Sequence, residues 1–109
     1  MKDKSKNISI IDSGLTIEGS VSCKGQLIIK GVVKGNLRGE DVVIAKDGAV
    51  QADTTVSVIT IGGQFEGMLR AEKLVIMATG NCSGKIVCKN FVVEPGGILN
   101  GEVNCSESL

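Results

Sequence analysis

Phe65-Glu66-Gly67-Met68-Leu69-Arg70-Ala71, Cys82-Ser83-Gly84-Lys85-Ile86-Val87-Cys88 and Leu99-Asn100-Gly101-Glu102-Val103-Asn104-Cys105 are three readings of one pattern, seventeen residues apart. In each, an apolar residue is followed two positions later by glycine, then at steps of two by an apolar residue and a small one. Alternation at i and i+2 is strand periodicity, in which every second side chain turns to the same face. A sequence that repeats itself at a fixed short period calls for a stacked architecture, because one repeat cannot bury its own apolar face.

The pattern extends upstream. Ile17, Val33 and Val50 precede Phe65 in the first column, and Gly19, Gly35 and Ala52 precede Gly67 in the second. A third column runs Val21, Leu37, Thr54, Leu69, Ile86, Val103, and a fourth Cys23, Gly39, Val56, Ala71, Cys88, Cys105. After a corner come Leu27, Val42, Ile59, Leu74 and Phe91, then Ile29, Ile44, Ile61, Ile76 and Val93. Gly31, Gly48, Gly63, Gly80 and Gly97 close the turns, so ten of the 15 glycines fall in the two glycine columns and do not mark general flexibility. Insertions fall at the corners, because a one-residue slip within a strand would turn its core residues outward. No segment holds the i, i+3, i+4, i+7 spacing of an amphipathic helix. The expected fold is all-β: a single-stranded parallel β-helix of about six coils of 15–17 residues. At ~4.8 Å per coil the stack is roughly 29 Å long. An ordinary β-sandwich would not repeat six positions in register. Residues 1–14 read as an N-terminal tail with at most an imperfect first coil, 15–105 as the core, and 106–109 as a short C-terminal tail.

The composition fits one domain of 109 residues and excludes several kinds of chemistry. Lys+Arg and Asp+Glu are both 12, which leaves no excess cation to meet nucleic-acid phosphates. Two Phe and no Trp or Tyr provide no base-stacking platform. The absence of His removes the commonest general base and the commonest metal ligand. Gly62-Gly63 and Gly96-Gly97 sit at β-corners and not before helices, so they form no phosphate loop. No catalytic, metal-binding or cofactor-binding residue is expected, and the protein reads as a non-enzyme with no cofactor.

The start, Met1-Lys2-Asp3-Lys4-Ser5-Lys6-Asn7, leads into only a short apolar stretch and does not read as an export signal. Cys23, Cys82, Cys88 and Cys105 are therefore expected as reduced thiols packing as small hydrophobes in a cytoplasmic protein. Cys82-x5-Cys88 is not zinc-ligand spacing.

Soluble solenoids cover their terminal coils with polar caps. Here only Ser106-Glu107-Ser108-Leu109 follow the last core position, and no glycine register precedes Thr16. End-to-end stacking is the expectation. Ile17, Val21 and Leu27 are the candidates at one end and Leu99, Val103 and Cys105 at the other. Six inward side chains at ~1.5–3 kcal/mol each give on the order of 10 kcal/mol. That is comparable with the ~4–15 kcal/mol cost of association, so hydrogen bonds across the joint matter to affinity. A repeated joint gives a filament unless it closes. A second expectation concerns the outward column Ile28, Val43, Thr60, Val75, Val92, where four of five residues are apolar. Either β-branched residues simply favour strands there, or Ile28, Val43, Val75 and Val92 form a stripe for lateral association or a docking partner.

With the columns laid out, the sequence resembles the bactofilins, bacterial polymer-forming cytoskeletal proteins. The resemblance is carried by Ile17-Glu18-Gly19, the run from Ile29 to Leu37, Ala71-Glu72-Lys73-Leu74-Val75-Ile76, and the run from Val92 to Gly101. It covers residues 15–105. It implies a right-handed β-helix and non-polar filaments assembled without nucleotide, joined head-to-head and tail-to-tail. It also implies a scaffolding role in cell shape, with cell-wall peptidases or other morphogenetic proteins as partners beside the homopolymer itself. Bactofilins often carry a phenylalanine late in the core, at the place Leu99 holds here. Many bind the inner face of the membrane through a short N-terminal segment with a large hydrophobic residue, a place where this chain has Met1 among Lys2, Lys4 and Lys6.

Other β-helical functions fit less well. Hexapeptide acyltransferases have strict six-residue sides and a catalytic histidine, and ice-binding solenoids present a flat threonine array. The five Thr here form no column. The alternative that survives is a non-polymerising β-helical adaptor that docks a protein partner.

Overall fold

A computed structural model describes residues 8–105, except that only the backbone of Cys105 is described. The strands are β1 (Ile8–Ile11), β2 (Thr16–Ser22), β3 (Gln26–Ile29), β4 (Val32–Arg38), β5 (Asp41–Ile44), β6 (Ala49–Thr55), β7 (Val58–Ile61), β8 (Gln64–Ile76), β9 (Asn81–Val93) and β10 (Ile98–Cys105). Every pairing is parallel. β1, β3, β5, β7 and the second halves of β8 and β9 form one ladder. β2, β4, β6, the first halves of β8 and β9, and β10 form the other. The chain thus winds through six levels of a parallel β-solenoid with principal extents of 34 × 33 × 26 Å.

The register reproduces the sequence columns residue for residue. Ile17 pairs with Val33, Val33 with Val50, Val50 with Phe65, Phe65 with Cys82, and Cys82 with Leu99. These side chains line one buried core, in which like residues lie one above another. The column Ile11, Ile29, Ile44, Ile61, Ile76 is buried throughout. Phe65 is accommodated because its neighbours in the stack, Val50 and Cys82, are smaller.

The long strands bend where glycine lies midway. Gly35 has φ +121°, and a Cβ placed on it would run into the carbonyl oxygen of Gly19 on the preceding coil. Both the left-handed backbone and the close approach exclude any other residue there without strain. Ala52 occupies this column once, without positive φ. The ladder between β6 and β8 is correspondingly interrupted at Ala52 and Asp53. Elsewhere the turns close by short backbone bonds such as Gly48 N–H to the Ala45 carbonyl (2.8 Å) and Gly80 N–H to the Met77 carbonyl (2.8 Å).

Cys82 is fully buried, and that burial pushes its thiol up to about 12, so it stays protonated and inert across the physiological range. Thr54 is the polar exception in the core. It stands between Leu37 and Leu69, and its Oγ1 is buried without a hydrogen-bond partner. Thr54→Val keeps the shape and removes an unsatisfied hydroxyl, and should stabilise the fold by about 1 kcal/mol. A urea midpoint shifted upward at unchanged slope is the expected result.

Candidate self-association ends

At the N-terminal end the last layer of core is formed by Ile17, Val21 and Cys23, all half-buried and packed on the coil beneath. Beside them Ser9 and Ile11 extend the layer through β1. At the C-terminal end Leu99 and Val103 occupy the same columns, again half-buried. The backbone of Cys105 continues the Cys23 column by pairing with Cys88, while its side chain lies outside the described residues.

Leu27 does not belong to the first layer. Ser9 lies over it in register, and Leu27 is only 2% exposed. The reason is that β1 is already an in-register strand: Ile11 enters the isoleucine column, which turns Ser9 to the core side and leaves Ile8 and Ile10 exposed. At the opposite end two residues join the layer that the repeat had assigned to the interior. No described strand lies over Phe91 and Val93, which are 41% and 37% exposed although they occupy core columns.

The outward stripe is also where the columns place it. Ile28, Val43, Thr60, Val75 and Val92 pair in sequence up one ladder, with Ile10 added at the N-terminal tip. Ile28, Val43, Thr60 and Val75 are half-buried, whereas Ile10 and Val92 at the two tips are 56% and 51% exposed. Met1 and Lys2, Lys4 and Lys6, the residues bearing on a membrane contact, lie outside the described residues. Among the described residues no helix is long and apolar enough to cross a membrane, and no group of His, Cys, Asp and Glu is placed to hold a metal ion.

A parallel β-solenoid of six levels, with no pocket of catalytic or metal-binding groups among the described residues, is a structural scaffold by class. Residues 9–104 match the family described as Bactofilin, polymer-forming cytoskeletal, and the chain belongs to that family. The bactofilin BacO of Myxococcus xanthus is 26% identical over 98 residues, spanning 88% of this chain and 78% of that protein. Two solved structures superpose closely. A Thermus thermophilus bactofilin, reconstructed by cryo-EM as double helical filaments, has a TM-score of 0.83 at 25% identity, covering 90% of this chain and 99% of that one. The cytoskeletal bactofilin BacA, solved by solid-state NMR, has a TM-score of 0.84 at 27% identity, covering 88% and 93%. The chain is therefore a structural, polymer-forming cytoskeletal protein.

The glycine columns supply a test of stacking at the N-terminal end. In the interior, a Cβ on Gly35, Gly84 or Gly101 would strike the glycine of the preceding coil. Gly19 has φ +128° and its Cβ would meet nothing within 4 Å, and among the described residues no coil lies over it. Gly19→Ala should cost the monomer roughly 1–3 kcal/mol of backbone strain. If another chain stacks on this layer, the new Cβ strikes it and blocks assembly. Sedimentation should show the variant folded but shifted to small species.

Proposed function

We propose that this bactofilin polymerises end to end through its two bare core layers, without nucleotide. Ile17 and Val21 carry the N-terminal joint, and Leu99, Val103 and Cys105 the C-terminal one. The observation that carries the reading is the half-burial of Ile17, Val21, Leu99 and Val103, each in a column whose interior members are buried. Phe91, 41% exposed at the same end of the stack, adds aromatic area to the C-terminal layer and so offsets the phenylalanine that other bactofilins carry at the Leu99 place. Each joint buries apolar side chains worth up to ~1.5–3 kcal/mol apiece and pairs strand edges that otherwise stay open. Each end mates with its own kind, head to head and tail to tail, which gives a filament without polarity. The filament acts in the cytoplasm, at the inner face of the membrane, as a scaffold for cell shape, holding cell-wall peptidases or other morphogenetic proteins.

Purified protein at physiological salt should form long thin filaments in negative stain, unaffected by ATP or GTP. Leu99→Arg or Val103→Arg buries an unpaired charge in the joint and should reduce these to short species while the β-sheet circular dichroism is kept. Loss of that signal would instead make both positions general core. Monodisperse short rods from the unaltered protein would favour the adaptor.

The outward column supports a second contact. We assign Ile28, Val43, Val75 and Val92 to lateral association of filaments; the Thermus thermophilus relative, described as double helical filaments, supports the assignment. Replacing Val43 and Val75 with lysine should leave single filaments and abolish bundles. Unchanged bundling in the microscope would refute it.

A further inference from the structure

The apolar stripe is the middle column of a wider outward face, on the ladder of β3, β5, β7 and the second halves of β8 and β9. Before the stripe runs a column of Gln26, Asp41, Val58, Lys73 and Asn90, each paired in register with the next. After it runs a column of Lys30, Ala45, Gly62, Met77 and Glu94. Each of these five donates its backbone N–H to the coil before, to the carbonyls of Ile11, Ile29, Ile44, Ile61 and Ile76 respectively. Both flanking columns lie two residues from the stripe and so belong to the same outward face.

The face reads alike in both directions from the level of Val58, Thr60 and Gly62. One coil to either side, Asp41 is answered by Lys73, Val43 by Val75 and Ala45 by Met77. Two coils to either side, Gln26 is answered by Asn90, Ile28 by Val92 and Lys30 by Glu94. Mirrored residues match in character, and where they are charged their signs are opposite. Asp41 is half-buried, whereas Lys30, Lys73 and Glu94 are exposed. Glu40 and Glu72, at the corner before the face, mirror each other with the same sign. Glu40 turns to its own chain, accepting from the Gly25 N–H at 3.3 Å, and the matching surface is confined to the three columns.

We propose that filaments associate laterally through this face as antiparallel copies, related by a two-fold axis along the strands at the level of Thr60. The proposal deepens the lateral reading above and rests on it. This axis turns the rod end for end and keeps every column opposite itself. It sets Asp41 against Lys73 of the second copy, Lys30 against its Glu94, and Val43 against its Val75, and symmetry repeats each contact. The other two-fold that opposes stripe to stripe runs along the rod. It sets Asp41 on Ala45 and Lys73 on Met77, and pairs no charges. Partly exposed ion pairs add little affinity, but they fix orientation and register. The occupant is a second copy of the chain, because an identical face supplies the mirrored charges at coil spacing. Five levels at ~4.8 Å and columns ~7 Å apart give a footprint of roughly 300 Å², well below the ~800 Å² each partner buries in a stable dimer. The contact therefore holds only where a polymer repeats it.

The experiment scores bundles and single filaments in negative stain and by low-speed pelleting, with circular dichroism of every variant. Asp41→Lys and Lys73→Asp each oppose like charges across the axis, and each should abolish bundles while single filaments remain. The double variant Asp41→Lys with Lys73→Asp exchanges the two signs and should bundle again. Asp41→Lys with Lys34→Asp restores the net charge on a different face and should stay unbundled. If either single variant bundles like the unaltered protein, or if the exchanged pair stays single, the antiparallel register is overturned. If both double variants bundle, net charge and not pairing governs the contact, and the proposal falls. Bundles that survive lysine at Val43 and Val75 overturn the lateral reading itself, which that variant registers independently of the charge exchange.

Discussion

Each coil passes the next at backbone contact along one corner, and the rest of the molecule follows from that approach. A side chain on Gly35 or Gly84 would occupy the place of the preceding coil's carbonyl. The glycine therefore fixes where the strand bends and, with it, how far the next apolar residue lies from the last. Once that corner is set, the register of both ladders is set, and each core column must be filled at strand spacing by whatever residue the repeat delivers. Ala52 shows the constraint by departing from it: the pairing between β6 and β8 lapses at Ala52 and Asp53 and resumes at Thr54. The lapse is local: the strands are paired on either side of it, Gln51 with Glu66 and Thr54 with Leu69.

A fold built this way has no chemical difference between an interior layer and a terminal one. Ile17 and Leu99 are members of the same column as Val33 and Cys82, and differ only in lacking a neighbour on one side. In the proposed assembly a second chain covers each end layer, as the next coil covers an interior layer within the chain. On that proposal no nucleotide is needed to drive the joint, because the surface that associates is already the native core. What would stop assembly is a polar cap, and among the described residues both end layers are left open.

Most of the fold was legible because glycine spacing and apolar alternation are direct consequences of the backbone. The six columns could be read from Ile17 to Val103 without coordinates. The first coil was harder, since Ile8, Ile10 and Ile11 crowd both faces of β1 and alternation alone does not say which face is inward. The ladder to β3 decides it, placing Ile11 inside and Ser9 over Leu27, and so removes Leu27 from the end layer. Phe91 and Val93 were hidden for the opposite reason. Their columns identify them as core, and only the pairing shows that no described strand lies over them. The unsatisfied hydroxyl of Thr54 is likewise invisible in the repeat, where threonine passes for a β-branched residue the size of valine.

The outward column carries its exposure unevenly, and this bears on how the two kinds of contact relate. Its middle members are shielded by their neighbours along the strands, while Ile10 and Val92 at the tips stand more than half in solvent. Val92 lies between Phe91 and Val93, which belong to the open C-terminal layer, and Ile10 lies between Ser9 and Ile11 at the other end. The most available apolar surface on the side of the rod is thus continuous with the surface at its ends. The proposed head-to-head and tail-to-tail stacking would bring two such tips to one joint and enlarge the apolar patch there. On the proposed joints, a lateral contact made there would gain from each end-to-end joint already formed, so that bundling would follow polymerisation and not compete with it.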